Sequence, residues 1–366
     1  MENLLGRKIE IEIKDFLDMS IKISEHLIGK DHEPFIMAEA GLNHNGDLER
    51  AFEMIKVAKN SGATAIKFQT FSANEIVLDK NLVYTYQNQG NDVTESLYDI
   101  LHRCEFSKNE WLNIKNKCEE QNILFLSTVQ NSSDLELLLD IGISAIKVGS
   151  DDFTTLPLLE EFTKTNLPII LSCGMADLEE ISTTLETIGA LDDYPTVLML
   201  TTSQYPTPDE DANIKKLQSL SNTFPKIELG FSDHTIGTTA ATLASALGAC
   251  VFEKHFTLDH NLPGPDHWFA ANPKQLHEWV DAISKSHLML GNSEIKPTEN
   301  EEKMKILCRR SIVALKDISK GEILNKQNIG LRRPGNGISP RFFNDILSKQ
   351  ASKNIPRGTL LSTDDF

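Results

Sequence analysis

Eight short apolar segments recur along this chain of 366 residues, and each runs into a polar or charged group of the kind that does chemistry. FIMAEA leads into Glu39, AIKFQT carries Lys67, LFLSTV ends near Thr128, and AIKVGS holds Lys147 and Ser150. PIILSCG follows with Ser172, TVLMLTTS with Ser203, IELGFSD with Ser232 and Asp233, and CVFEKHFT with Lys254 and His255. Parallel strands buried on both faces read as continuous apolar runs, and in a closed barrel the catalytic groups gather at their C-terminal ends. The pattern predicts an α/β (β/α)8 TIM barrel with one site at one mouth.

Between the segments lie stretches with helical spacing. In DLERAFEMIKVAKNSGA the apolar positions Leu48, Phe52, Ile55, Val57 and Ala58 predict a helix that stops at Gly62. WLNIKNKCEEQN, DLELLLDIGI, LPLLEEFTKTN, DLEEISTTLETIGA, DEDANIKKLQSL and TTAATLASALGA repeat the alternation. Eight repeats match a closed barrel better than the alternative, an open doubly wound sheet. A barrel takes about 250 residues, which leaves room for a small second domain.

The organisation follows from where the alternation fails. Residues 1–19 precede the first ordered element, IKISEHLIG, and their role is unreadable; 20–291 form the barrel domain. From Ser72 to about Lys108 there is no predicted strand, and a connection of that length is expected to fold over the barrel mouth as a binding loop or lid. Residues 292–308, charged and containing Pro297, are expected as a linker. Residues 309–366 combine short β-type runs with Lys-Gly, Arg-Pro and Pro-Gly turns, which predicts a compact β-rich domain with little helix.

Composition excludes several partners. A net charge of -17 repels nucleic acid and acidic membrane surfaces. No apolar run approaches the roughly 20 residues that cross a bilayer, and the first residues alternate charge with apolar side chains unlike a signal peptide, so a cytoplasmic protein is expected. The five cysteines show no CxxC pairing, which argues against a disulfide framework or a zinc knuckle.

Lys67 and Lys147 sit inside otherwise apolar strands. A buried ammonium needs an anion beside it, either an internal carboxylate or a bound ligand. His234 and His255 fall at the ends of neighbouring strands and suit a divalent ion with mixed nitrogen and oxygen ligands, or else hydrogen-bond within their loops. Glu39, Asp233 and Asp266 could serve as ligand, orienting group or substrate contact. His44 in NHNGD is a further candidate at a helix start, where capping residues are also expected. LPGPDH makes a stiff turn that could hold Asp266 towards the opening, and RRPGNG joins a rigid turn to two guanidinium groups suited to oxyanions.

Taken together, AEAGLNHNGD, AIKFQTF, LSTV, IKVGS, ILSCGMA, GFSDHT, EKHFTLDHNLPGPDH and LRRPGNG resemble, in order and spacing, the sialic acid (nonulosonic acid) synthase family, from about residue 20 to the C-terminus. The resemblance implies a TIM barrel followed by a small antifreeze-like (SAF) domain, in a domain-swapped homodimer. It implies condensation of phosphoenolpyruvate with the open-chain aldehyde of an N-acylated hexose such as N-acetylmannosamine, aided by Mn2+ or Mg2+. By motif, Lys67, Thr128, Lys147, Ser150, Ser203 and Ser232 would hold phosphoenolpyruvate, and His234 and His255 the metal. Glu39, Tyr205 and Asp266 would contact the sugar, the partner subunit's Arg333 would reach its acyl group, and Glu39 and Asp152 would move protons.

The motifs also depart from the commoner pattern. STVQ stands where STPF is frequent, Asp152 where a Glu is often found, and TTSQYP where an HCTNIYP-like segment is usual. Such variation occurs among legionaminic and pseudaminic acid synthases, and YQNQGNDVTES resembles the legionaminic and N-acetylneuraminate branches more than the pseudaminic one. Two other readings are an aldol lyase releasing pyruvate and a non-catalytic carbohydrate or ice-surface binder built on the C-terminal domain.

Overall fold

The computed structural model describes residues 21–366; residues 1–19, set apart above, lie outside them. The chain opens with a hairpin of β1 (Ile21–Ile23) and β2 (His26–Ile28), then runs through β3 (Phe35–Gly41) and β4 (Ala65–Thr70). A second hairpin follows, β5 (Val83–Asn88) and β6 (Asn91–Ser96). After it come β7 (Leu124–Val129), β8 (Ile146–Val148), β9 (Ile169–Ser172), β10 (Thr196–Thr201), β11 (Glu228–Ser232) and β12 (Val251–His255). Strands β3, β4 and β7 to β12 pair in parallel and in sequence order, and β12 pairs with β3 to close an eight-stranded barrel. All eight are the apolar segments read from the sequence.

Helices between the strands cover the barrel. Leu48–Asn60 is capped by Asp47, whose carboxylate accepts from the backbone N–H of Glu49 and Arg50. The buried stripe of this helix is Ala51, Met54, Ile55 and Ala58, a 3-1-3 spacing that makes one face; Phe52 and Val57 lie at its margins rather than on it.

Inside the barrel, the period of two along each strand sorts the residues into layers. Phe35, Met37, Ala65, Leu126, Ala145, Ile170, Val197, Met199 and Val251 form an apolar core at the N-terminal end, and Ile21, Ile23 and Ile28 of the first hairpin pack onto it. Two residues further along the same strands stand Glu39, Lys67, Thr128, Lys147, Ser172, Thr201 and Glu253, all buried.

The long connection differs from its expectation. Besides the β5–β6 hairpin it contains helices Ala73–Ile76 and Leu97–His102. The turn at Gln89 and Gly90, both at positive φ, lets strands pair from Val83 with Ser96 to Asn88 with Asn91. Tyr86 packs with Leu42, Phe71, Ile100 and Cys104, and its hydroxyl donates to Glu95 at 2.6 Å. No strand was predicted here because the segment carries no continuous apolar run, and Leu82, Val83 and Tyr84 stay exposed while Tyr86 is buried.

The second compact unit spans Asn292–Phe366. The stretch expected as a linker instead carries a helix, Glu299–Cys308, started by a reciprocal cap between Thr298 and Glu301. Antiparallel β13 (Ser311–Ala314) and β14 (Ile329–Arg332) enclose a core of Ile312, Ile318, Leu324, Ile346, Ile355 and Leu361. Among the described residues, no helix is long and apolar enough to cross a membrane.

Candidate active site

A cavity of about 450 Å3 opens at the C-terminal ends of the barrel strands. Glu39, Lys67, Thr128, Lys147, Ser150, Ser203, Tyr205, Ser232, His234, His255 and Asp266 all line it. Residues from seven strands or their exits, hundreds of positions apart, are therefore brought to one place.

Its floor is a buried network of ammonium and carboxylate groups. Lys67 and Lys147 are 3% and 2% exposed. Lys67 Nζ lies 2.9 Å from Glu39 Oε2 and donates to Thr128 Oγ1 at 2.7 Å. Lys147 Nζ donates to Ser172 Oγ and to the carbonyl of Val148, both at 2.8 Å. Between the lysines stands Glu253, whose Oε2 is 3.7 Å from Lys147 Nζ and 4.0 Å from Lys67 Nζ. These separations fall within ion-pair range but beyond hydrogen-bond reach. Glu253 Oε2 accepts no hydrogen bond among the described residues, whereas its Oε1 accepts from Ser232 Oγ at 3.1 Å. The carboxylate alternative for the lysines' partner is thus realised, and both ammonium groups still face the cavity.

The electrostatics separate the two carboxyls. Burial pushes Glu39 up to about 7, against the pull of Lys67 and with Glu253 adding to the rise. Burial would also raise Glu253, but Lys147 and Lys67 outweigh it and hold that carboxylate down at about 2. Burial opposes charge on Lys67 too, and there Glu253 and Glu39 prevail and keep the ammonium above the usual lysine value. Lys147, with less compensation, is lowered by burial.

One wall carries His234 and His255, ring centroids 5.5 Å apart, with the Tyr205 ring 4.2 Å from His234. Burial lowers both imidazoles below the ordinary histidine value, so they stay neutral with lone pairs to offer. His234 Nδ1 lies 2.7 Å from the carbonyl of Thr202, which makes Nδ1 the protonated nitrogen and leaves Nε2 as the free one. His255 Nδ1 has no hydrogen-bond partner among the described residues and stands 3.7 Å from Asp266 Oδ2. Two neutral nitrogens and a nearby carboxylate fit a divalent ion that leaves positions open to substrate. Among the described residues no cluster of three or more His, Cys, Asp or Glu side chains is already gathered around one point.

Opposite, the hydroxyls of Ser150 and Ser203 converge on Gly174. A Cβ there would lie 2.4 Å from Ser203 Oγ and 2.7 Å from Ser150 Oγ, so glycine is required for the close approach. The Gly174 N–H donates to Ser150 Oγ at 3.0 Å.

Four sequence candidates fall elsewhere. Asp152 does not line the cavity: its Oδ1 accepts from Thr155 Oγ1, while Asp151 lines the cavity in its place. The strand ends at Val148, so the loop that follows no longer obeys the alternation that would orient residue 152. His44 is stacked on Phe106 at 4.5 Å and lies outside the cavity lining. Asp233 is turned away from the cavity as well, pairing with Lys254 at 3.1 Å and accepting from the Trp279 indole N–H. Arg333, expected to act from a partner subunit, belongs to the second unit, where its Nε donates to the carbonyl of Cys308 at 2.8 Å.

Glu253, Gln69 and Asp151 are the residues that sequence reasoning missed. Lys254, taken as a chemical strand-end residue, faces the helices instead: it pairs with Asp233 at 3.1 Å and lies 5.8 Å from the Trp279 ring. Counting back by two from His255 would have placed Glu253 inside.

Known proteins resemble this chain along most of its length. The NeuB family model matches residues 54–295, and the SAF domain model matches residues 309–366. The N,N'-diacetyllegionaminic acid synthase of Legionella pneumophila is 38% identical over 89% of this chain and 93% of that protein. A pseudaminic acid synthase of Campylobacter jejuni is 34% identical over 92% of this chain and 97% of its own length. The solved structure of the N-acetylneuraminic acid (sialic acid) synthetase of Leptospira borgpetersenii superposes with a TM-score of 0.70 at 33% identity, over 78% of this chain and 94% of that one. With a family model covering most of its barrel and relatives aligned along nearly its whole length, this chain belongs to the NeuB family and carries a C-terminal SAF domain.

Proposed function

We propose that this chain is a nonulosonic acid synthase, joining phosphoenolpyruvate to the open-chain aldehyde of a 2-acetamido or 2,4-diacetamido hexose and releasing phosphate. The observation that carries the reading is the pair of buried ammonium groups, Lys67 and Lys147, on the floor of a cavity that also presents two neutral imidazoles. Two cations suit a ligand bearing both carboxylate and phosphate, with Thr128, Ser150, Ser203 and Ser232 as hydroxyl partners. A divalent ion, Mn2+ or Mg2+, on His234 and His255 would supply Lewis acidity towards the aldehyde oxygen.

Carbon 3 of phosphoenolpyruvate forms the new bond to the aldehyde carbon, and water adds to the cationic carbon 2. The tetrahedral product then breaks its C–O bond to phosphate, leaving the ketone. Glu39, held near neutrality, is placed to give or take the protons these steps need. Tyr205 and Asp266 at the rim would orient the sugar, and two copies would pair so that Arg333 of one reaches the acyl group in the barrel of the other. The greater identity to the legionaminic than to the pseudaminic relative supports a sugar of the legionaminic type.

The test is phosphate release from phosphoenolpyruvate with Mn2+ and a panel of N-acylated hexoses. Sugar-dependent release, abolished by His255→Ala in a folded protein, is the expected result; no release with any sugar would refute the reading.

A further inference from the structure

Each histidine of the cavity wall is preceded by a charged residue that faces the other way. Asp233 stands before His234 at the exit of β11, and Lys254 stands before His255 in β12. Because successive side chains along a strand point to opposite faces, imidazoles that enter the cavity turn their predecessors towards the helices. Both predecessors are buried, and Lys254 Nζ lies 3.1 Å from Asp233 Oδ2. An ion pair therefore lies directly behind the two imidazoles, and nothing in the reaction above uses it.

That pair begins where the backbone ladder stops. β11 and β12 pair from Gly230 with Val251 to Ser232 with Glu253, and the Asp233 N–H donates to the carbonyl of Glu253 at 2.8 Å. Beyond this bond, no backbone hydrogen bond joins the two strand ends among the described residues. The carbonyl of His234 turns instead towards the exit of β10, where it accepts from the Thr207 N–H at 2.9 Å. Backbone bonds alone thus hold His234 to β10 and leave its distance from His255 unfixed.

Side chains supply the missing link. Lys254 Nζ also donates to the carbonyl of Thr235 at 2.7 Å, while Asp233 Oδ1 accepts from the Thr235 N–H at 2.9 Å and from its hydroxyl at 2.7 Å. One ammonium on β12 grips the residues on both sides of His234. Trp279, from the helix Pro273–Leu290, closes the group from outside by donating its indole N–H to Asp233 Oδ2 at 2.8 Å. Stability alone is a poor reason for such a pair, since the desolvation of two charges offsets their attraction and apolar residues of similar volume would fill the space as well. Apolar residues could not fix one arrangement of two strand ends. A bound ion, by contrast, depends on groups behind its ligands to hold them at the right distance.

Resting on the divalent-ion site of the synthase reading given above, we propose that Asp233 and Lys254 are positioning residues, a clasp that fixes the spacing of His234 and His255 and so sets the affinity for the ion. The ring centroids stand 5.5 Å apart with the clasp closed behind them. Because the pair is neutral as a whole, removing both members leaves the net charge behind the imidazoles unchanged, and the affinity then reports geometry.

The experiment titrates Mn2+ into the full chain and follows the free ion by electron paramagnetic resonance, with thermal melts to establish folding. Asp233→Asn combined with Lys254→Met is expected to weaken Mn2+ binding at least about tenfold, and the milder Lys254→Gln at least about threefold. Leu126→Ala, which loosens the apolar layer on the far side of the barrel, serves as the control for a merely structural effect and should keep Mn2+ binding within about twofold. Unchanged binding in the folded double variant, or an equal loss of affinity in Leu126→Ala, would overturn the clasp while leaving the ion site in place. If the double variant does not fold, Lys254→Gln decides by the same criteria. A wild type that binds no Mn2+, or His255→Ala binding it as tightly as wild type, would overturn the ion assignment of the synthase reading, and the clasp with it.

Discussion

The two ends of the barrel interior are built from the same eight strands, yet they obey opposite rules. At the N-terminal end, Met37, Leu126, Ile170 and Met199 pack without a polar group, and their burial works for folding. Two residues later, the same strands present Glu39, Lys67, Lys147 and Glu253, whose desolvation works against folding unless each charge finds its opposite. Carboxyls make the contrast sharp. Glu228, at the N-terminal start of β11, forms no ion pair among the described residues and is pushed up by burial against the weaker pull of Lys30; Glu253, near the end of β12, is held down by two lysines. One layer supports the fold, and the next holds charges in readiness.

Five substitutions, two of them combined in one variant, test that division, beginning with the largest expected effect. Lys147→Met combined with Glu253→Gln removes one charge of each sign from the upper layer; phosphate release is expected to fall at least about a thousandfold, roughly 4 kcal/mol of transition-state stabilisation. Thermal stability of this double variant should stay closer to wild type than that of Lys147→Met alone, which leaves Glu253 with one distant lysine. A double variant less stable than the single one would mean that the ion pair supports the fold after all.

Leu126→Ala, in the lower layer, should do the reverse. A loss of about 2–5 kcal/mol in urea unfolding is expected, with kcat changed by less than about threefold. Comparable losses in activity and stability would erase the distinction between layers.

Trp279→Phe probes the network behind the histidine wall, where the indole N–H donates to Asp233 Oδ2 at 2.8 Å. Denaturation should report a loss of about 1–3 kcal/mol, because a buried acceptor loses its donor; no change would show that Lys254 alone satisfies Oδ2.

Glu228→Gln carries the smallest effect, and its sign follows from the raised pKa. A carboxyl that holds its proton more tightly when folded costs stability as pH rises above its unfolded value. The variant should match wild type near pH 4 and exceed it by about 2 °C in Tm at pH 7.5. A variant less stable at pH 7.5 would reverse the assignment.

Much of this was legible in the amino-acid order. All eight strands were readable because burial on both faces leaves unbroken apolar runs, and Lys67 and Lys147 stood out as charges inside such runs. Glu253 was not singled out, since EKH places three polar residues in a row and only the two-residue period says which of them face inward. Asp152 was named from the family resemblance, at a position where a Glu is usual; past Val148 the backbone leaves the strand, and neighbouring acids in a loop have no periodicity that would have pointed to Asp151 instead. The β5–β6 hairpin was read as an irregular loop because its strands are mostly exposed and polar, stabilised by Tyr86, Glu95 and Arg103 rather than by a run of apolar residues.

The pairing of Lys147 with Glu253 has a consequence for the order of synthesis. A ribosome delivers both lysines well before residue 253, the one carboxylate within ion-pair distance of Lys147 among the described residues. Until the eighth strand arrives, a nascent partial barrel would have to hide an ammonium ion with nothing opposite it. The last strand is therefore both the final stave and the counter-charge, and closure is coupled to neutralisation in a single late event.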